Sequence, residues 1–142
     1  MPDRQYIIIV GCGRLGSLLA NRLSQMGHSL VIIDQRERAF EKLSMDFSGF
    51  KILGDATEQA ILKQAQIDQA HYLFACTTQD NVNLMVAQIA HKIYRVPKVI
   101  ARIYDPVREL IYREFGIETI SPTHLTANAF LKFITHEETD IL

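Results

Sequence analysis

The sequence predicts an α/β protein built on a doubly wound parallel sheet, with helices on both faces. Three observations carry that expectation. Six short apolar runs alternate with longer stretches of helical spacing, which is the signature of repeated β-α units. The runs are rich in Ile, Val and Tyr and mostly continuous, as expected for strands covered on both sides. The first run passes directly into Gly11-Cys12-Gly13-Arg14-Leu15-Gly16, a glycine-rich turn that opens a helix. The chain has 142 residues, 48% of them hydrophobic. A domain of that size buries roughly two thirds of its unfolded surface and needs no disulfide or metal to fold.

Taken in order, the strands are expected at Tyr6–Val10, Leu30–Ile33, Phe50–Leu53, Tyr72–Ala75, Val99–Ile103 and Glu118–Ile120. The first helix, Leu15–Met26, carries an apolar stripe through Leu15, Leu18, Leu19 and Leu23 and ends at Gly27, a natural stop. Arg36–Met45 reads as the second. Thr57 is placed to cap a short third helix, Glu58–Gln66, that turns Ile61, Leu62 and Ala65 inward. Asp80 is placed to cap a fourth, Asn81–Tyr94, whose face runs through Val82, Met85, Val86, Ile89, Ala90 and Ile93 until Pro97 stops it. Asp105-Pro106 opens Val107–Phe115, which Gly116 ends, and Pro122 opens a last helix at about Thr123–Thr135. No repeat or linker interrupts the chain, so residues 1–142 are expected to form one domain. Right-handed crossovers then give strand order 3-2-1-4-5-6, a Rossmann-like arrangement with its ligand at the carboxyl ends of strands one and four.

Composition narrows the function. Fifteen Lys and Arg against 16 Asp and Glu leave a net charge of −1, so no basic face for nucleic acid is expected. The first apolar run is too short for a signal peptide or a membrane span, and the protein is expected to be cytoplasmic. Two cysteines, Cys12 and Cys76, fit a reducing compartment. Strands one and four are neighbours, so a redox pair and plain apolar packing are both open to them.

The glycine loop has the context that gives such a motif meaning. A strand precedes it, a helix follows it, and Asp34 ends strand two, 18 residues beyond Gly16. Gly11 permits the tight turn, Gly13 lets a phosphate approach the backbone, and Gly16 lets the helix pack on the sheet. The phosphate then meets the free N–H groups and positive end of the first helix, with Arg14 placed to fork onto its oxygens. Asp34 would accept from both ribose hydroxyls and repel a 2′-phosphate, an exclusion that Arg36 and Arg38 weaken. This favours an adenine nucleotide or NAD(H) over NADP(H). Gly54-Asp55-Ala56-Thr57 ends strand three beside the adenine position, where Asp55 either accepts from the adenine amino group or caps the next helix. Thr77 and Thr78, ending strand four, face the place of a second ribose or phosphate. Arg102 is a cation in an apolar strand and needs a carboxylate, a ligand or a neighbouring subunit.

Catalysis has little support. Tyr94 and Lys98 have the spacing of a short-chain dehydrogenase pair, but Pro97 breaks the helix that they would have to share. His28, His71, His91, His124 and His136 are scattered without metal-ligand spacing. A hydride-transfer enzyme also needs space for a second substrate. A small NAD-dependent oxidoreductase or enzyme subunit is nevertheless the competing reading.

Together these residues resemble the N-terminal domain of the TrkA family, the RCK or KTN module of potassium channels and transporters. The resemblance runs from Tyr6 to about Phe133. It rests on Gly11-x-Gly13-Arg14-x-Gly16, Asp34, Gly54-Asp55-Ala56-Thr57, the Thr77-Thr78-x-Asp80-x-x-Asn83 stretch, and Ile100-Ala101-Arg102 with Asp105-Pro106. It implies a cytoplasmic regulatory subunit at the inner face of the membrane that is not an enzyme. Such a subunit forms a homodimer or a larger ring, docks on a membrane-embedded potassium channel or transporter subunit, and binds ATP, ADP, AMP or NAD(H). The candidate binding set is Gly11, Cys12, Gly13, Arg14, Leu15, Gly16, Asp34, Gln35, Arg36, Gly54, Asp55, Ala56, Thr77, Thr78 and Arg102, with Asp55-Ala56 bordering the adenine. The last helix would be the crossover that packs on a partner, through Leu125, Phe130, Leu131, Phe133 and Ile134. Some relatives carry a metal-binding glutamate after the proline that here is Pro122. Thr123 stands there instead, so no intersubunit metal is expected.

Overall fold

Alternation along the central strands sets the architecture. A computed structural model describes residues 3–135, in which six strands form one parallel sheet of order β3-β2-β1-β4-β5-β6. They are β1 (Tyr6–Val10), β2 (Ser29–Asp34), β3 (Phe50–Leu53), β4 (Tyr72–Ala75), β5 (Lys98–Arg102) and β6 (Glu118–Ile120). In register, Ile8 lies between Val31 of β2 and Leu73 of β4. Successive side chains point to opposite faces. Ile8 and Val10 therefore join one core with Val31, Ile33, Leu62 and Val86, while Ile7 and Ile9 join a second with Leu30, Ile32, Ala20 and Ala39. Covering both faces is what makes the strands read as unbroken apolar runs. Ile8, Ile9 and Ile32 are fully buried. Each such side chain contributes roughly 1.5–3 kcal/mol relative to exposure.

Helix α1 (Arg14–Gln25) covers the second core, and α2 (Gln59–Gln64) and α3 (Asp80–Gln88) cover the first; α4 (Glu109–Glu114) and α5 (Pro122–Thr135) follow. The inner face of α1 is Gly16, Ala20 and the partly buried Leu15, Leu19 and Leu23. Leu18, expected in the same stripe, lies outside it, as do Met85 and Ile93 on the fourth helical stretch. Small residues take the inward positions, since helix and sheet must approach closely there.

Several local expectations are corrected. The stretch 36–45 is not an α-helix but a short 3-10 segment, Glu37–Lys42. Asn21 of α1 intercepts its end: its amide donates to Lys42 O (3.3 Å) and its oxygen accepts from Ser44 N (2.9 Å) and Ser44 Oγ (3.1 Å). These bonds satisfy groups that a continuing helix would have used. Thr57 caps nothing. Glu58 holds the N-cap position of α2, while Thr57 donates its N–H and hydroxyl to Asp55 Oδ1 (2.9 and 2.7 Å). The fourth helix begins at Asp80 and widens into a π segment, Ile89–Ile93. Arg95 then takes a left-handed φ of 53°, which delivers the Val96 N–H to Ala90 O before Pro97. A 3-10 turn, Pro106–Arg108, precedes α4, and Asp105 accepts from Val107 N (3.1 Å) as expected of its cap.

Candidate nucleotide cleft

The three loop glycines differ in why they are glycine. Gly11 sits at φ +100°, a region L side chains avoid, and its N–H donates to Ile33 O (2.8 Å). A Cβ on Gly16 would lie 1.8 Å from Gly11 O, so α1 could not seat against the loop. Gly13 has an ordinary negative φ of −87°, and a Cβ there would meet no protein atom within 4 Å. Packing within the chain therefore does not require a glycine at 13, the N-cap of α1.

Asp34 fastens this loop to the next. Its Oδ2 accepts from Cys12 N and its Oδ1 from Arg36 N, both at 2.8 Å. Each carboxylate oxygen keeps a further lone pair. Beyond it opens a cleft of about 1210 Å³ at the carboxyl ends of β1–β4. Eleven of the fifteen candidate residues line it: Gly11, Cys12 and Gly13 on the loop, Asp34, Gln35 and Arg36 after β2, Gly54, Asp55 and Ala56 after β3, and Thr77 and Thr78 after β4. Leu15 and Gly16 lie behind the loop, and Arg14 is the exposed first residue of α1. None of these three walls the cleft, and neither does Arg102.

Among the described residues Arg102 finds no carboxylate; its guanidinium stacks on Tyr104, 4.4 Å from the ring centroid, and its Nε is buried without a partner. Cleft residues that sequence reasoning left out include Glu41, Lys42 and Gln79. The first two follow from the 3-10 turn, which brings the segment after Asp34 over the opening. Asp55 is held below the ordinary carboxylate range, first by the Thr57 hydroxyl, then by the Thr57 N–H. It does not cap the next helix, whose N-cap is Glu58; its carboxylate turns the loop onto Thr57 instead.

Thr77 is already committed. Its hydroxyl lies 2.6 Å from Asn83 Oδ1 and accepts from Gln79 N (3.2 Å), whereas Thr78 is exposed beside it. Asp80 does not cap its helix. It lies inside α3, after the N-cap Gln79, and its carboxylate accepts from Tyr104 N (2.8 Å) and Asp105 N (3.0 Å). Residue type suggests a cap for Asp80 and only a place in a motif for Asn83, and nothing local in sequence reveals partners some 20 residues away.

Both cysteines are free and buried. Burial, reinforced by the nearby Asp34, pushes the Cys12 thiol up to about 11, and burial pushes Cys76 up to about 12. Burial thus disfavours the thiolate that redox exchange requires, and both side chains pack into the second core. The histidines stay apart. Nδ1 of His28 and of His71 accepts the N–H of Gln5 and of Tyr6 (3.0 and 2.9 Å), fastening the start of β1 from both sides. His136 lies outside the described residues. Tyr94 and Lys98 are also separated, the former donating to Gln59 Oε1 (3.1 Å) and the latter facing Glu118 (3.4 Å). Among the described residues no group of three or more His, Cys, Asp or Glu could hold a metal ion, and no helix is long and apolar enough to cross a membrane.

A Rossmann-like sheet of order 3-2-1-4-5-6, a glycine loop entering a helix and an acid closing the second strand define a dinucleotide-fold ligand domain. The chain belongs to the TrkA-N domain family, whose sequence profile matches residues 7–122. It is 38% identical over 127 residues to the Trk system potassium uptake protein TrkA of Streptomyces coelicolor (strain ATCC BAA-471 / A3(2) / M145), covering 89% of this chain and 57% of that protein. The chain thus spans little more than half of that relative's length. Among solved structures it resembles the TrkA-N domain of inner membrane protein ybaL from Escherichia coli (TM-score 0.81, 21% identity, 94% of this chain and 98% of that one). It is also similar to a Kef CTD from Shewanella denitrificans in an AMP-bound form (TM-score 0.77, 25% identity, 95% and 82%).

Proposed function

We propose that this chain is the cytoplasmic nucleotide-sensing lobe of a potassium-uptake regulator, which binds an adenine nucleotide or NAD(H) in the cleft and biases a membrane-embedded pore partner. The observation that carries the ligand assignment is Gly13. Gly11 and Gly16 are required by backbone geometry and by packing, but at Gly13 a Cβ would point into open space. A ligand group that must touch the backbone explains the missing side chain. A phosphate suits the place, since the unpaired N–H groups and positive end of α1 start there and Arg14 is exposed beside them. Asp34, positioned by two backbone donors, has acceptor capacity left for ribose hydroxyls.

The regulatory part of the reading is supported by the Streptomyces relative, named for potassium uptake, and the nucleotide by the AMP-bound Kef neighbour. A sensing role rather than turnover is supported by the separation of Tyr94 from Lys98. Self-association is supported by α5, none of whose residues is buried, and by exposed Leu110 and Ile111 on α4; a homodimer, or a ring built from dimers, would cover them.

Melting with and without ATP, ADP, AMP and NADH tests the ligand. Stabilisation by about 2.7 kcal/mol is expected when a bound nucleotide stands at a hundred times its Kd. Gly13→Ala and Arg14→Ala should each leave the ligand-free melting point near wild type and weaken binding about tenfold or more. Absence of a shift with all four nucleotides overturns the reading, and steady oxidation of NADH by a substrate would replace it with an enzyme.

A further inference from the structure

We infer that Asp80 and Asn83, one turn apart on α3, form a bracket that ties the cleft wall to the outer face of α4, so that occupation of the cleft is felt at that face. This rests on the nucleotide-binding reading above. Thr77, Thr78 and Gln79 wall the cleft. Asn83 is 1% exposed and its carboxamide is saturated. Its oxygen accepts from the N–H and hydroxyl of Thr77 (2.9 and 2.6 Å), and its nitrogen donates to Thr77 O (3.0 Å) and Arg102 O (2.9 Å). Asp80 uses both oxygens on the N–H groups of Tyr104 and Asp105 (2.8 and 3.0 Å), and Asn81 accepts from Arg108 Nη1 (3.1 Å). The loops after β4 and β5 therefore hang from one turn of α3.

The run of contacts continues outward. Asp105 caps the 3-10 turn into α4, and Val107, Leu110 and Ile111 follow with 82%, 71% and 53% exposure. Glu109, the first residue of α4, has a side chain only 14% exposed. It accepts from Thr119 Oγ1 of β6 (3.2 Å) and meets His124 Nδ1 in the first turn of α5 (3.3 Å). Polar contacts joined by short backbone segments of α3 and of the 3-10 turn thus lead from the cleft to both exposed apolar helices. A buried, fully used carboxamide cannot release one partner without stranding the others, so the two loops shift as a block. A nucleotide with different affinity for two positions of that block biases α4, and by linkage whatever binds α4 biases the cleft. Asp80 is a positioning residue in this scheme, and no nucleotide contact is assigned to it.

Hydrogen–deuterium exchange with saturating ADP, and in a parallel series NADH, tests the bracket. In wild type, the nucleotide should slow exchange in 77–83 and also, about fivefold or more, in 104–114. Asp80→Ala should bind nucleotide within about threefold of wild type and keep the effect at 77–83 but lose it at 104–114. Asp80→Asn retains one acceptor and should keep part of it; this variant carries the test if the alanine protein does not fold. Slowing at 104–114 that survives in Asp80→Ala, or is missing from wild type while 77–83 responds, overturns the bracket. No response to either nucleotide anywhere, 11–16 included, removes the binding reading itself and the bracket with it.

Discussion

Ile8 and Ile9 in β1 are 0% exposed, whereas Phe130 and Phe133 in α5 are 72% and 68% exposed, although both pairs come from apolar stretches of the same chain. In β1 each face of the strand meets helices that the chain itself supplies. Helix α5 buries no residue at all. The difference teaches that hydrophobic patterning tells which side chains need cover but not which molecule provides it. The glycine loop belongs to the first kind of region, since its closure depends wholly on contacts within the chain, and it should be the easiest place to break the fold.

Gly16→Val tests that most severely. A Cβ would stand 1.8 Å from Gly11 O, a backbone atom held by the hydrogen bond from Gly11 N to Ile33 O. Neither side can give way cheaply, so the expected cost is about 4–5 kcal/mol, at the upper end of single substitutions. Urea unfolding monitored by circular dichroism measures it. A loss below about 1 kcal/mol would show that α1 is not seated as tightly as that contact demands.

What sequence made visible follows the same division. Strand order and the glycine loop were legible because they depend on periodicity and on spacing within one β-α-β unit. Asp34 was legible for the same reason. The 3-10 turn after it was not, since Asn21, some 20 residues earlier, ends it through bonds to Lys42 and Ser44. Residue type marks Asp80 and Thr57 as caps, whereas Asp80 accepts from the loop after β5 and Thr57 donates to Asp55, two residues back in its own loop. Arg102 calls for a carboxylate, a ligand or a neighbouring subunit; the described residues supply no carboxylate, and its guanidinium stacks on Tyr104, two residues along the chain. Residue type announced a need for a partner, and three-dimensional neighbourhood chose it.

The buried region should also show itself in alkali. Cys76 is pushed from an ordinary 9.0 up to about 12 and Cys12 up to about 11, while burial and then Asp68 raise Tyr6. A group raised in the folded state binds its proton more tightly there than in the unfolded chain. The stability it contributes is thus complete below pH 9 and lost as the pH climbs through 11 to 12. The urea midpoint is expected to hold steady from pH 7 to about 9 and then decline. Cys76→Ala should start lower and decline less steeply; a decline equal to wild type would assign the alkaline limb to other groups.

The smallest effect on folding is expected at the other pole of the comparison. Phe130→Ser combined with Phe133→Ser removes two large apolar side chains from α5, yet neither is buried by the chain, so little transfer free energy is lost on unfolding. The urea midpoint of dilute protein should move by no more than the equivalent of about 0.5 kcal/mol, as for surface substitutions generally. Self-association should respond strongly, because these side chains are the ones that a second copy would cover. Sedimentation velocity across a concentration series separates the two quantities. Wild type is expected to shift from monomer to dimer as concentration rises, and the double variant to remain monomeric at the same concentrations. Should the variant instead lose as much stability as a core truncation, about 3–5 kcal/mol for a phenylalanine, α5 would have to be packing against its own chain in solution. The contrast between β1 and α5 would then disappear.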